Sequence, residues 1–407
     1  MNFKIKISLS VLIIVSYFSY AQIHQNSSLV IADSIYSSIL KEHRDIYIKL
    51  PESFSTNSNK KYPVIYILDG ELLLSTLNLV HSYYSGGFMP EMVLVGVSNA
   101  NNRSRDLTTS IVSSFYQKNG EAENFTSFFR KELIPYIEKT YPVTNYRSLI
   151  GHSYGGLFTV NTLLNHSDLF SNYLAIDPSL DWDNQKLLKQ AKEVLSQKNF
   201  RGKALFISLA SQLHMSNPKI TIGNVMKDTT SFTIFPRSNM SFFEQTKKNA
   251  KNELITTWKY YPDDLHGTVP LPSIKDGLLS LFNWYQWENT SAFNNPNTSV
   301  KKIKSFIKYR ENKLKKHFGY IEPPYGEDIF NMMGYMNIDL NQLEKSLMYF
   351  KMATYYYPKS ANAFDSLAEF YFKQKDYKNA LKNITKAYNL SGKESHKKKI
   401  ETYKKNL

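Results

Sequence analysis

At 407 residues and a formal net charge of +15, the chain exceeds the usual single-domain length, and its 42% apolar content can supply more than one core. It has no cysteine, which excludes disulfides, thiolate metal sites, a cysteine nucleophile and a lipidated N-terminal cysteine. Residues 301–407 hold 22 Lys/Arg and 11 Asp/Glu, so +11 of the charge sits there, on what read as solvated lysine-rich helices, with no nucleic-acid motif.

In chain order, Lys4 and Lys6 precede the apolar run Ile7 to Phe18, and Ser19 and Ala21 fit the small-residue cleavage rule. Residues 1–21 are therefore predicted to be a signal peptide, leaving Gln22 first in an extracytoplasmic protein, periplasmic or secreted. A retained anchor is the alternative, but the apolar run is shorter than the roughly 20 residues of a spanning helix. No membrane span is expected after cleavage.

Residues 28–50 read as β-structure, an edge hairpin ended by Pro51. Val64 to Leu68 and Met92 to Val97 are continuous apolar runs, the pattern of strands buried on both faces in a parallel sheet. Glu123 to Thr140 has helical spacing, with Pro135 as a kink point. Strand Arg147 to Ile150, helix Leu157 to Leu164, strand Tyr173 to Ile176, helix Asn184 to Gln197 and strand Ala204 to Leu209 then alternate. A last strand, Leu254 to Tyr261, precedes His266 and the closing helix Ile274 to Tyr285. This β-α-β series predicts an α/β sheet over residues 22–290.

Residues 291–300 are polar and turn-rich, hence an expected linker to a helical region over 301–407. There, residues 34 apart match in size or turn character: Gly334 with Ala368, Ser346 with Ala380, Ala353 with Ala387 and Pro358 with Gly392. That period is the tetratricopeptide one, in two units over 328–361 and 362–395, with Val300 to Phe318 as a further packing helix. A protein partner at these repeats is a corresponding expectation.

The chemistry concentrates in Gly151-His152-Ser153-Tyr154-Gly155-Gly156, a G-x-S-x-G between a strand and a helix. This is the context of a nucleophile elbow, where small neighbours let Ser153 project from a sharp turn. A serine hydroxyl needs a general base. In the Ser–acid–His order of α/β-hydrolases the base follows the last strand, where His266 stands. The acid normally follows the strand Ala204 to Leu209, but residues 210–217 contain no carboxylate. Asp228 is first in order after it, with Glu244 and Asp177 as alternatives and a Ser153–His266 dyad as a further one. Backbone N–H groups of Tyr154 and of Gly70 or Glu71 are the expected oxyanion donors. No metal-ligand spacing is present, and no metal or cofactor is expected.

Several segments resemble the esterase D and enterochelin-esterase-like α/β-hydrolases. They are Pro63 to Gly70, Val95 to Thr108, Phe129 to Tyr141, Gly151 to Leu157, Asp177 to Trp182 and His266 to Pro270, together spanning roughly residues 28–290. The resemblance implies an α/β-hydrolase fold and a serine carboxylic-ester hydrolase working through an acyl-enzyme on a small-molecule ester. A siderophore-type ester or lactone is the favoured substrate, carbohydrate-linked acyl esters the alternative. An Arg-x-x-Asp-Leu-Thr segment similar to that of siderophore esterases makes Arg103 and Arg105 candidate contacts for an anionic ligand, or else loop-stabilising partners of Asp106. Met215 to Asn249 reads as an inserted or rebuilt loop. A non-catalytic interaction protein is the opposing reading.

Overall fold

The structure, a computed structural model, describes residues 30–54 and 60–407; the expected signal peptide over 1–21 lies outside them. Two compact units divide it. One runs to Ser85 and resumes over Pro90–Ser280; the other takes Gly86–Met89 with Leu281–Leu407.

In the first unit, β1 (Ile31–Ser37) and β2 (Glu42–Lys49) form the antiparallel edge hairpin. β3 (Tyr62–Leu68), α1 (Gly70–Tyr84) and β4 (Val93–Val97) make a parallel crossover, and every residue of both strands is buried. α2 (Arg103–Leu107) lies in the loop after β4. The helix expected over 123–140 comes as α3 (Ala122–Phe128), a π-helical turn over Phe129–Leu133, and α4 (Ile134–Thr140). Pro135 has no N–H to return to the preceding turn, so the chain widens there instead of bending sharply. Ile134 N–H reaches Phe129 O, one residue further back than in an α-helix.

β5 (Val143–His152), α5 (Tyr154–Asn165), β6 (Asn172–Ile176), α6 (Trp182–Gln197) and β7 (Ala204–Ala210) continue the alternation. The segment read as a rebuilt loop holds two short 3-10 turns and a 15-residue helix, α7 (Ile234–Lys248). β8 (Ile255–Tyr261) and α8 (Pro270–Leu281) follow. The strands join in one sheet ordered β1-β2-β4-β3-β5-β6-β7-β8, parallel from β4 to β8. The α/β-hydrolase expectation is met, and the C-terminal ends of the parallel strands gather the loops that carry the site.

The core on one face of the sheet is aromatic. Phe125, Phe129 and Phe158 pack with ring centroids 5.3–6.0 Å apart, and Tyr66 meets Phe129 and Phe170 edge-on. These side chains are at most 2% exposed, so each contributes on the order of 2–3 kcal/mol by burial.

The second unit is helical. After α9 (Thr290–Asn294) and α10 (Val300–Phe318) come α11 (Glu327–Asp339), α12 (Leu343–Tyr356), α13 (Ala361–Lys373), α14 (Tyr377–Ser391) and α15 (Glu394–Lys404). α11 and α13 start 34 residues apart, as do α12 and α14. Close approach explains the small residues at that spacing. Ser346 Oγ donates to Gly334 O at 2.8 Å, and a Cβ on Gly334 would strike the Phe350 ring. Ala368 and Ala380 are fully buried in the second pair. α15 closes it, with Tyr403 stacked on Phe372 at 4.2 Å and Lys399 paired to Asp365 and Glu369.

Candidate active site

The turn between β5 and α5 forces Ser153 to φ 58°, ψ −114°, a conformation that side-chain-bearing residues rarely adopt. Hydrogen bonds fix it. Ser153 N–H donates to Ile176 O at 3.0 Å, and Ser179 and Leu157 N–H groups donate to Ser153 O at 3.1 and 2.9 Å. Glycine is needed on both sides: a Cβ on Gly151 would collide with Gly155 O, and one on Gly156 would lie 2.8 Å from Pro178 Cβ. Ser153 Oγ lies 3.3 Å from Ser179 Oγ.

His266 sits in the turn after β8. Its backbone N–H donates to Gln212 Oε1 at 2.6 Å, and Asp264 O accepts from both N–H and Oγ of Ser211 at 2.8 Å. Its ring lies 4.5 Å from that of His152, the residue before Ser153, and edge-on to Phe235 at 5.6 Å. His266 Nδ1 is 2.6 Å from Asp177 Oδ2. Asp177, 1% exposed, follows β6 at φ 42°; its Oδ1 accepts from Ala210 N–H at 3.1 Å. A carboxylate only accepts, so this contact places the proton on Nδ1 and leaves Nε2 basic. His152 stays neutral beside it, its pKa pushed down to about 3 chiefly by burial, with the neighbouring His266 and the Arg103 guanidinium further disfavouring a second positive charge there.

The expected oxyanion donors begin helices. Tyr154 opens α5 and Gly70 and Glu71 open α1, where first-turn N–H groups have no intrahelical acceptor and the macrodipole favours negative charge. Gly70 is pressed against Gly96, leaving no room for a Cβ.

Residues 37–255 match a protein-family model described as "Putative esterase". The chain belongs to this esterase family. A siderophore enterobactin esterase of Emericella nidulans is 30% identical over 182 residues, 41% of this chain and 58% of that protein. A ferri-bacillibactin esterase of Bacillus subtilis is 29% identical over 192 residues, 42% and 66% respectively. The chain thus spans less than two thirds of the length of either relative. An IroE-like serine hydrolase from Shewanella oneidensis is 26% identical, with 80% of this chain and 99% of its own covered at a TM-score of 0.64. An uncharacterised protein from Capnocytophaga ochracea shares the fold at 20% identity, with 93% and 100% covered and a TM-score of 0.59.

Within this esterase-family chain, the structure does not bring Asp228 to His266. Its Oδ1 accepts from Thr230 N–H and from the hydroxyls of Thr230 and Thr233, in a local turn. Glu244 pairs instead with Lys247 on the exposed face of α7. Asp177 takes the place beside His266 because β6 lies next to β7 in parallel register, Ala175 opposite Ile207.

The two arginines also separate. Arg105 is turned inward, 8% exposed, with Nη1 and Nη2 on Glu42 at 2.8 and 2.7 Å and Nε on Asp106 at 2.7 Å. The Arg105 guanidinium holds the Glu42 carboxyl below its usual range. Arg105 is thus occupied by loop-stabilising partners and is not presented to a ligand. Arg103 forms a bidentate pair with Asp69 at 2.8 and 3.0 Å, donates to His152 O at 3.0 Å, and lies 5.4 Å from the Tyr154 ring centroid. With a third of its side chain exposed, Arg103 buttresses the elbow and still reaches solvent.

Sequence order missed the neighbours Ser179, Gln212 and the His152 ring. The signal for the first was the segment Asp177 to Trp182, which follows a buried strand with two acids and a serine. Among the described residues, no group of three or more His, Asp or Glu side chains is placed to hold a metal ion.

Proposed function

We propose that this protein is a serine carboxylic-ester hydrolase working by two-step acyl transfer. The pairing of His266 Nδ1 with Asp177 Oδ2 at 2.6 Å, beside a serine on a strained elbow, carries this reading. Ser153 Oγ attacks the ester carbonyl carbon while His266 Nε2 takes the hydroxyl proton. Asp177 holds the imidazole in the required tautomer and offsets its positive charge. The N–H groups of Tyr154 and of Gly70 or Glu71 receive the oxyanion. Collapse expels the alcohol, which takes the proton from His266. Water, deprotonated by the same nitrogen, then attacks the acyl-Ser153 carbonyl and releases the acid.

The substrate class is a siderophore-type ester or lactone. Supporting this are the names of the relatives and the rings beside the nucleophile: Tyr154 and Trp182 at 5.3 Å, and Phe115 at 5.3 Å from Trp182, a wall suited to flat aromatic acyl groups. The first 21 residues support an extracytoplasmic site of action, and the 34-residue helical spacing supports tetratricopeptide-type repeats.

The test is hydrolysis of a nitrophenyl butyrate and of a catecholate trilactone by wild type and Ser153→Ala. Loss of at least about 10³-fold in kcat for the variant is expected on both. Equal rates for the two proteins would overturn the serine mechanism. Turnover of the nitrophenyl ester alone would remove the substrate class and leave the mechanism.

A further inference from the structure

The turn after β6 touches both members of the proposed Ser153–His266 pair. Asp177 Oδ2 meets His266 Nδ1 at 2.6 Å, and two residues on, Ser179 Oγ lies 3.3 Å from Ser153 Oγ. Ser179 is 7% exposed and firmly held: its N–H donates to Ser153 O at 3.1 Å, and its O accepts from Trp182 N–H at 3.2 Å. The preceding Pro178 O accepts from Asn239 Nδ2 of α7 at 2.9 Å, which anchors the same turn from the other side. The acyl-transfer steps above call on a base, its orienting acid and oxyanion donors, and leave this second hydroxyl without a part.

Hydrogen-bond accounting gives it one. Among the described residues, Ser179 Oγ is the one hydrogen-bond partner of Ser153 Oγ, and no hydrogen bond joins Ser153 Oγ to His266. The nucleophilic oxygen thus stands where it meets Ser179, whereas proton transfer to His266 Nε2 needs an approach of about 2.6–3.2 Å. Serine χ1 has three staggered wells, and leaving one of them forfeits the contact made there. In the reacting complex that loss is offset, because the ester carbonyl carbon meets Oγ while the oxyanion donors hold the carbonyl oxygen. We propose that Ser179 is a positioning residue that holds the Ser153 hydroxyl off His266 in a resting rotamer, from which an incoming ester draws it; the proposal rests on the serine-hydrolase reading above. Such a residue restrains the nucleophile, so removing its hydroxyl speeds attack on small reagents.

The test reads the sign of that effect. Phenylmethanesulfonyl fluoride sulfonylates Oγ with loss of fluoride, the hydroxyl proton passing to His266, and so reports the reactivity of Ser153. Ser179→Ala should be inactivated about three- to tenfold faster than the wild type, the size of one hydrogen bond, with KM for nitrophenyl butyrate unchanged. Ser179→Thr, which restores a hydroxyl, should bring the rate back toward the wild-type value. Disturbed packing would slow the reaction instead, so a rise separates positioning from structure. Should Ser179→Ala lose its native circular dichroism, crystal structures of the wild type before and after sulfonylation decide the matter: Ser153 χ1 should differ between them by about 120°, one staggered well. A folded Ser179→Ala that reacts no faster, or an unchanged χ1, would overturn the role of Ser179 and leave the hydrolase reading standing. A wild type inert toward both the fluoride and nitrophenyl butyrate would overturn the hydrolase reading and this proposal together.

Discussion

Asp177 has both carboxylate oxygens engaged, one by Ala210 N–H and one by His266 Nδ1. An amide there must present its NH₂ to one of two donors, which favours the wrong imidazole tautomer. Asp177→Asn is therefore expected to lower kcat for a nitrophenyl ester by about 10³- to 10⁴-fold with little change in KM. Asp228→Asn, which loses only contacts within its own turn, should stay within about twofold; a reversed ranking in the same assay would move the acid back to Asp228. The difficulty of choosing between them from sequence is physical. Chain order counts residues along the backbone, whereas the carboxylate that meets His266 is set by which strand end lies beside the histidine loop. Arg105 teaches the same lesson. Its charge is legible, but Glu42, its partner 63 positions away, is not.

At the level of elements, the alternation of strands and helices was readable because strands buried on both faces are continuous apolar runs, as in β3 and β4. The helical region was readable because small residues mark where helices touch. The π turn ahead of Pro135 was not, since a missing N–H permits either a kink or a widened turn, and packing decides. The elbow depends on a close approach between α5 and the chain leaving β6. A methyl on Gly156 would sit 2.8 and 2.9 Å from Pro178 Cβ and Cα and 3.1 Å from Ile176 O, with backbone and a rigid ring unable to yield. Gly156→Ala should lower stability by about 1–3 kcal/mol and impair turnover. Gly223→Ala, whose Cβ would meet nothing nearer than Thr221 Oγ1 at 3.8 Å, should do neither. Denaturant midpoints and kcat measured together would refute the expectation if the two variants behaved alike.

For the whole molecule, buried neutral histidines tie folding to pH. His81, 5% exposed, accepts from Met92 N–H at 3.2 Å through Nε2, and burial pushes its pKa down to about 4. The unfolded chain binds this proton below about pH 6.5 and the native chain only near pH 4, so stability is full above 6.5 and is lost as pH falls toward 4. His81 alone accounts for about 3 kcal/mol of that loss, and His152 acts in the same direction. Urea midpoints between pH 7 and 4 should decline for the wild type and decline less steeply for His81→Leu; parallel curves would refute the assignment. The position of Asp177 has a wider consequence. Ser153 and Asp177, the proposed nucleophile and acid, follow adjoining strands, with Ser153 N–H bonded to Ile176 O and Ser179 N–H to Ser153 O, so the backbone ties the two turns directly together. The stretch from Leu213 to Thr233 supplies none of Ser153, His266 or Asp177. Its exposed residues, among them Met215 and Phe232, can therefore be varied without touching that backbone link, whereas Leu213 and Val225, buried in one cluster with Leu209, hold the stretch to the sheet.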